Sequence, residues 1–159
     1  MIDTAALQEL IARWWFNYDE GNFEVLTDLL TEDMHFACRT DTGETDYEEF
    51  VRADIHGRAD VMTWQRQHRL DSPYPLRHNG TNVHVVDNLG DQAAFASYIF
   101  VTQIEEGVSN VSTAIVRGVV RNDTGTLRIA ELDVTLDTRA SAPLRELKTQ
   151  RQKRSAVRH

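Results

Sequence analysis

Residues 2–21, "IDTAALQELIARWWFNYDEG", place apolar side chains at Ala6, Leu7, Leu10, Ile11, Trp14, Trp15 and Tyr18. That i, i+3, i+4, i+7 spacing predicts an amphipathic helix with one buried face. Asp3 or Thr4 is suited to cap its start, and Gly21 to end it. "FEVLTDLL" predicts a short second helix after Asn22, and Met34 to Arg39 reads as a strand. Thr45 and Glu48 stand at capping-box spacing, which predicts a helix reaching about Gln67, with Gly57 as an interruption, before "SPYP" breaks it.

From Leu76 onward the period changes. "LRHNGTNVHVV", "QAAFASYIFVTQI", "VSTAIVRGVV" and "TLRIAELDVTL" are rich in β-branched and aromatic residues. The segments between them, "DNLGD", "EEGVSN" and "NDTG", have turn compositions, so the second half reads as an antiparallel meander of four long strands. Helices first and sheet second is the signature of an α+β domain whose helices cover one face of a curved sheet. Such a sheet encloses a cone, and a cone closed at its narrow end makes a pocket.

At 159 residues the chain has the length of one domain. No apolar run approaches the roughly 20 residues of a membrane span. "MIDTAALQEL" lacks the basic start and apolar stretch of a secretory signal, and the single Cys38 cannot form an internal disulfide. The expectation is a cytoplasmic protein with no structural metal framework and no membrane partner. Charge divides the chain at about Arg139: residues 139–159 carry seven basic side chains against Glu146 alone, whereas residues 1–138 carry ten basic and 24 acidic ones, a net charge of −14. A body that acidic repels polyphosphate, which argues against nucleic acid as a partner. The expected organisation is therefore a domain over residues 1–138 followed by a solvated basic tail over 139–159 that rests on the acidic body.

Chemistry-bearing motifs are few. The chain has no Gly-rich phosphate loop, HExxH, CxxC or GxSxG. His35, His56, His68, His78 and His84 show no i, i+4 pair on a helix, and no metal site is expected from their spacing. His78 differs from the others: it opens a long strand in "RHNGTN", beside a glycine where backbone can approach another element closely. Alternation puts Leu76, His78, Gly80 and Asn82 on one face, and Arg77, Asn79 and Thr81 on the other. A strand-end histidine satisfied by a backbone carbonyl is the structural alternative to a functional one. Asp19 is also out of place structurally, because an acid in the last turn of a helix opposes the helix dipole. Its structural alternative is a turn residue before "EG".

The order "YDEGNFEVLTDLLTEDMHF", a helix, "RHNGTNVHV", "GDQAAFASYIFV" and a final strand pair split by "RNDTGTLRI" resembles the SnoaL-like branch of the NTF2-like α+β cone proteins, over roughly residues 4–137. That superfamily includes polyketide cyclases, ketosteroid isomerases, scytalone dehydratase, hexachlorocyclohexane dehydrochlorinase and the small subunits of aromatic-ring dioxygenases, so the fold alone does not fix a reaction. In the dehydratase and dehydrochlorinase members an Asp ending the first helix faces a His opening the first long strand. The resemblance implies that His78 is a general base and that Asp19 orients it and stabilises its imidazolium. Trp14, Trp15, Phe36 and Tyr98 are the expected pocket walls, and Arg117 would supply positive charge if its face turns inward. Several catalytic relatives carry Lys or Tyr five positions before the Asp, where this chain has Trp14, so the electrophilic helper is not identified.

Three functions are consistent with these residues. The first is a lyase or isomerase of the dehydratase or cyclase type that needs no cofactor and acts on a small apolar or polycyclic molecule. The second is a non-catalytic binding or assembly module like a dioxygenase small subunit. The third is a ring-modifying epoxide hydrolase, which would want an Asp–Arg–Asp arrangement in the cone, with Asp133 and Arg117 as the available pieces. The resemblance also implies homo-oligomers, commonly dimers, formed through the outer sheet face.

Overall fold

A computed structural model describes residues 1–147. Helix α1 (Thr4–Asp19) starts where the Asp3 carboxylate accepts the Ala6 N–H at 3.1 Å, and it ends at Gly21, whose φ of +69° suits a residue without a side chain. Its buried face follows the sequence pattern at Leu7, Leu10, Ile11, Trp14, Trp15 and Tyr18, with Asp19 added at the end, whereas Ala6 is exposed. Helix α2 (Phe23–Asp28) leads into β1 (Leu30–Thr40), which is longer than the six-residue strand expected.

The helix expected from Thr45 to Gln67 is instead three elements: α3 (Glu48–Val51), β2 (Ala53–His56) and α4 (Arg58–Asp71). Gly57, with φ +91°, makes a turn that a helix interior cannot hold, and "ADIH" pairs antiparallel with β1 over four residues. The meander follows as β3 (Leu76–Asn88), β4 (Gln92–Glu105), β5 (Val108–Asp123) and β6 (Thr126–Leu136). One mixed sheet results, in the order β2-β1-β6-β5-β4-β3, antiparallel throughout except that β1 runs parallel to β6.

Inward positions on β4 and β5 alternate strictly. Ala93, Phe95, Ser97, Ile99 and Val101 face the helices, as do Ala114, Val116, Gly118 and Val120. Gly118 is required there, because a Cβ would fall 2.7 Å from the Phe95 ring and nearer still to the Glu131 carbonyl. On β3 the expected alternation stops at Asn82, whose φ of +56° accompanies a register shift between Thr81 and His84. The irregularity turns Asn82 outward and lets Val83 and Val85 continue the inward set. Local twist is increased by such a bulge, and here β3 curls against α1 to close one side of the cone.

A one-turn helix at residues 144–147 follows the sheet. The expectation of a basic tail otherwise falls on residues 148–159, outside the described residues. No helix among the described residues is long and apolar enough to cross a membrane.

Candidate active site

The cone holds a cavity of about 400 Å³, walled by Trp14, Phe36, Phe50, Trp64, Val134 and Leu136. Asp19 and His78 meet at its edge. The Asp19 carboxylate is 95% buried and accepts two hydrogen bonds from the same residue: the His78 backbone N–H at 2.7 Å and the His78 ring Nδ1 at 2.6 Å. A carboxylate only accepts, so the ring proton sits on Nδ1 and Nε2 carries the lone pair. The ring remains 13% exposed and lines the cavity.

An acid at a helix C-terminus needs compensation, and Arg69 supplies it. Its guanidinium, buried on α4, donates to the Asp19 backbone carbonyl through Nε at 3.0 Å and Nη2 at 2.8 Å. Nη1 reaches the carbonyls of Pro73 at 3.1 Å and Ser72 at 3.4 Å. One cation thus sits at the negative end of the α1 dipole and ties that end to α4 and to the loop entering β3. Both partners of the dyad are positioned by this knot.

Packing fixes the imidazole plane. The Trp15 indole stacks on His78 with centroids 4.9 Å apart and planes 7° from parallel, and Tyr18 meets the ring edge-on at 5.3 Å. Gly80 allows the stack, since a Cβ there would lie 3.2 Å from Trp15 Cδ1. The close backbone approach expected beside His78 is this contact between β3 and α1.

A second histidine lies in the same cavity. His68 Nδ1 is 2.6 Å from the Tyr18 hydroxyl, and its ring lies between Trp64, at 4.5 Å and 13°, and Phe50, at 4.5 Å and 28°. Burial is the main cause that lowers its pKa to about 4, and the proximity of His78 adds to it, so at neutral pH it is uncharged. Burial likewise pushes the Tyr18 hydroxyl well above its ordinary range, leaving it protonated. A protonated Tyr18 donates to Nδ1 and leaves His68 Nε2 as an N–H. That buried atom has no hydrogen-bond partner among the described residues, and neither does Nε2 of Gln65, which also lines the cavity.

Of the residues expected from sequence, the structure brings together Asp19, His78, Trp14, Trp15 and Phe36 around one cavity. Tyr98 and Arg117 are corrections: alternation on β4 and β5 puts both on the outer face, Tyr98 55% exposed. Arg117 does stand opposite Asp133 in register, yet Asp133 bonds Arg39 at 2.8 Å on that outer face. Asp133 and Arg117 therefore do not form, inside the cone, the pair on which an epoxide hydrolase was expected to rest. His68, Tyr18 and Gln65 were not among the expected site residues. His68 sits in the polar string "RQHR", but Val61, Gln65 and His68 recur at helical spacing on one face of α4, and that periodicity was the available signal.

The SnoaL-like domain model matches residues 1–133. No curated protein matches the chain. Among solved structures, an NTF2-like protein with a cystatin-like fold from Novosphingobium aromaticivorans is 24% identical with a TM-score of 0.69, covering 91% of this chain and 88% of that one. A candidate scytalone dehydratase from the same organism is 13% identical with a TM-score of 0.67, covering 87% and 89%. A candidate dehydratase of the NTF2-like family from Streptomyces avermitilis is 14% identical with a TM-score of 0.68, covering 87% and 98%. At these identities the structural likeness speaks for the fold, an NTF2-like cone, and the match over residues 1–133 makes the chain a member of the SnoaL-like domain family.

Proposed function

We propose that the chain is an acid-base lyase or isomerase of the dehydratase or cyclase type, acting on a small apolar or polycyclic molecule held in the cone. The observation that carries this reading is the 2.6 Å Asp19 to His78 contact at the edge of an aromatic-walled cavity of about 400 Å³. In the elimination version, His78 Nε2 takes a proton from a carbon next to a carbonyl, and the C–H electrons form the new double bond. The neighbouring C–O bond breaks, and the imidazolium returns its proton to the departing oxygen, which leaves as water. Asp19 stabilises the imidazolium in between. His68 Nε2–H and the Gln65 carboxamide are donors suited to the substrate's carbonyl oxygen, whose charge grows as the proton leaves. Every step is a proton transfer or a bond cleavage within the substrate, so the scheme calls on no cofactor.

Candidate dehydratases among the structural neighbours support the same class. An open cavity counts against the assembly-module alternative, which would be expected to fill the cone with side chains. We further propose self-association through the outer sheet face, where Tyr98, Phe100 and Ile104 are exposed on β4. A panel of hydroxylated aromatic ketones, followed by absorbance for loss of water or ring closure, tests the reading. Turnover by the native chain and none by His78→Ala is the expected result; equal turnover by both removes His78 as the base.

A further inference from the structure

Away from the cone, three potential metal ligands converge on the outer face of the sheet. His35 on β1 and His56 on β2 stand directly opposite in an antiparallel pair, the arrangement that brings Cβ atoms within about 5 Å. Their rings lie side by side, with centroids 4.0 Å apart and planes 6° from parallel. Asp54 shares the face of His56, two residues earlier on β2, and its Oδ1 is 2.8 Å from His35 Nε2. One donor atom from each of the three residues lies within 4.8 Å of the others.

We propose that His35, Asp54 and His56 form a binding site for one divalent transition-metal ion of the zinc, cobalt or nickel class. Two imidazoles and a carboxylate are the donor set those ions prefer. A tetrahedral ion bound at about 2.0 to 2.1 Å from each ligand holds its donors roughly 3.3 Å apart, a distance that rotamer adjustments of exposed side chains can reach from the present arrangement. His35 ligates through Nε2, so the ion takes the place of the proton shared with Asp54, and the ring carries its hydrogen on Nδ1. Ala37 is the residue opposite Asp54 in register, and its small side chain leaves room above the strand pair.

The surroundings favour a cation. Glu131 stands opposite His35 on the other neighbouring strand, β6, and faces the same side. Of the arginines on that face, Arg39 is bonded to Asp133, and Arg117 stands opposite the same Asp133 in register. The framework is firm at His35, because β1 is paired on both sides, and β2 is held by its four-residue register and by the Gly57 N–H to Met34 carbonyl bond at 2.8 Å. Three protein ligands leave a fourth position open for water or an outside donor. Sequence spacing hides the site, since His35 and His56 lie 21 positions apart and "ADIH" reads as helix until its pairing is seen.

Calorimetric titration of zinc chloride into the chelator-treated full chain near pH 7.5 tests the assignment. One equivalent binding in the micromolar range, weakened about tenfold or more by His56→Ala and by Asp54→Asn, is the expected result. His78→Ala should bind zinc like the native chain, which separates this site from the cavity. Circular dichroism checks that each variant is folded, and Asp54→Asn serves if His56→Ala is not. Absence of zinc binding by the native chain, native-like binding by the folded His56→Ala or Asp54→Asn variant, or loss of binding in His78→Ala would each overturn the proposal.

Discussion

Asp19 grips His78 twice, taking the backbone N–H on one carboxylate oxygen and the ring Nδ1 on the other. The two contacts do different things. The backbone bond fixes where β3 starts relative to the end of α1, and the ring bond fixes the tautomer that turns Nε2 toward the cavity. Asp19→Asn separates them: the amide oxygen can still accept one bond, but its NH₂ then faces the other donor, and the imidazole is pushed toward the tautomer with a proton on Nε2. The expected loss in kcat is about 10² to 10⁴-fold, with a melting temperature that falls only modestly. Steady-state kinetics and thermal unfolding of the one variant check both halves.

Arg69 on α4 is buried, and its one guanidinium serves the carbonyls of Asp19, Ser72 and Pro73. Arg69→Met keeps much of the volume and removes every donor. Buried carbonyls left unpaired cost about 1 to 3 kcal/mol apiece, so a total destabilisation of roughly 2 to 4 kcal/mol is expected after local relaxation. Urea unfolding measures it; a change within about 0.5 kcal/mol would mean the knot does not hold the helix end.

Gly80→Ala tests the stack. The added methyl meets Trp15 at 3.2 Å, and the indole must retreat from His78 or the strand must lift from α1. Overpacking of this kind costs about 1 to 3 kcal/mol. Tryptophan fluorescence reports the indole's displacement, and a native spectrum with native stability would show that the contact is slack.

His68 gives the fold a pH dependence of definite sign. Its pKa is near 6.5 when exposed and about 4 in the fold, so below 6.5 the unfolded chain takes up a proton that the folded chain refuses. The stability this group contributes is complete above about pH 6.5 and declines as pH falls toward 4, by at most about 3 kcal/mol. His68→Gln, which cannot titrate and can still bond Tyr18, should flatten that part of the stability profile. Chemical denaturation at intervals from pH 7.5 to 4 gives the comparison, and superimposable profiles would contradict it.

Periodicity made much of this architecture legible. Helix α1 and the four-strand meander follow from spacing that burial enforces over many residues, and the dyad sits at the junction of two such elements. Failures came where one or two residues decide. Gly57 and the four residues of β2 broke a helix that the capping-box spacing of Thr45 and Glu48 had opened, and the positive φ of Asn82 changed the parity of β3. Tyr98 and Arg117 went outward because strand parity depends on register, which a segment boundary uncertain by one residue leaves open. His68 was hidden by its polar neighbours in "RQHR": Arg66 and Gln67 lie on the solvent side of α4, whereas Arg69 is polar and yet buried.

The central claim is that His78 Nε2 removes a proton from carbon inside the cone. Hydrogen-deuterium exchange at the carbon next to the carbonyl of a bicyclic aromatic ketone such as a tetralone, followed by NMR in D₂O, tests it without requiring the natural substrate. The account predicts exchange accelerated by the native chain and reduced to the uncatalysed rate by His78→Ala and strongly slowed by Asp19→Asn. Equal acceleration by native chain and His78→Ala, or no acceleration of a ketone shown to occupy the cavity, would contradict it.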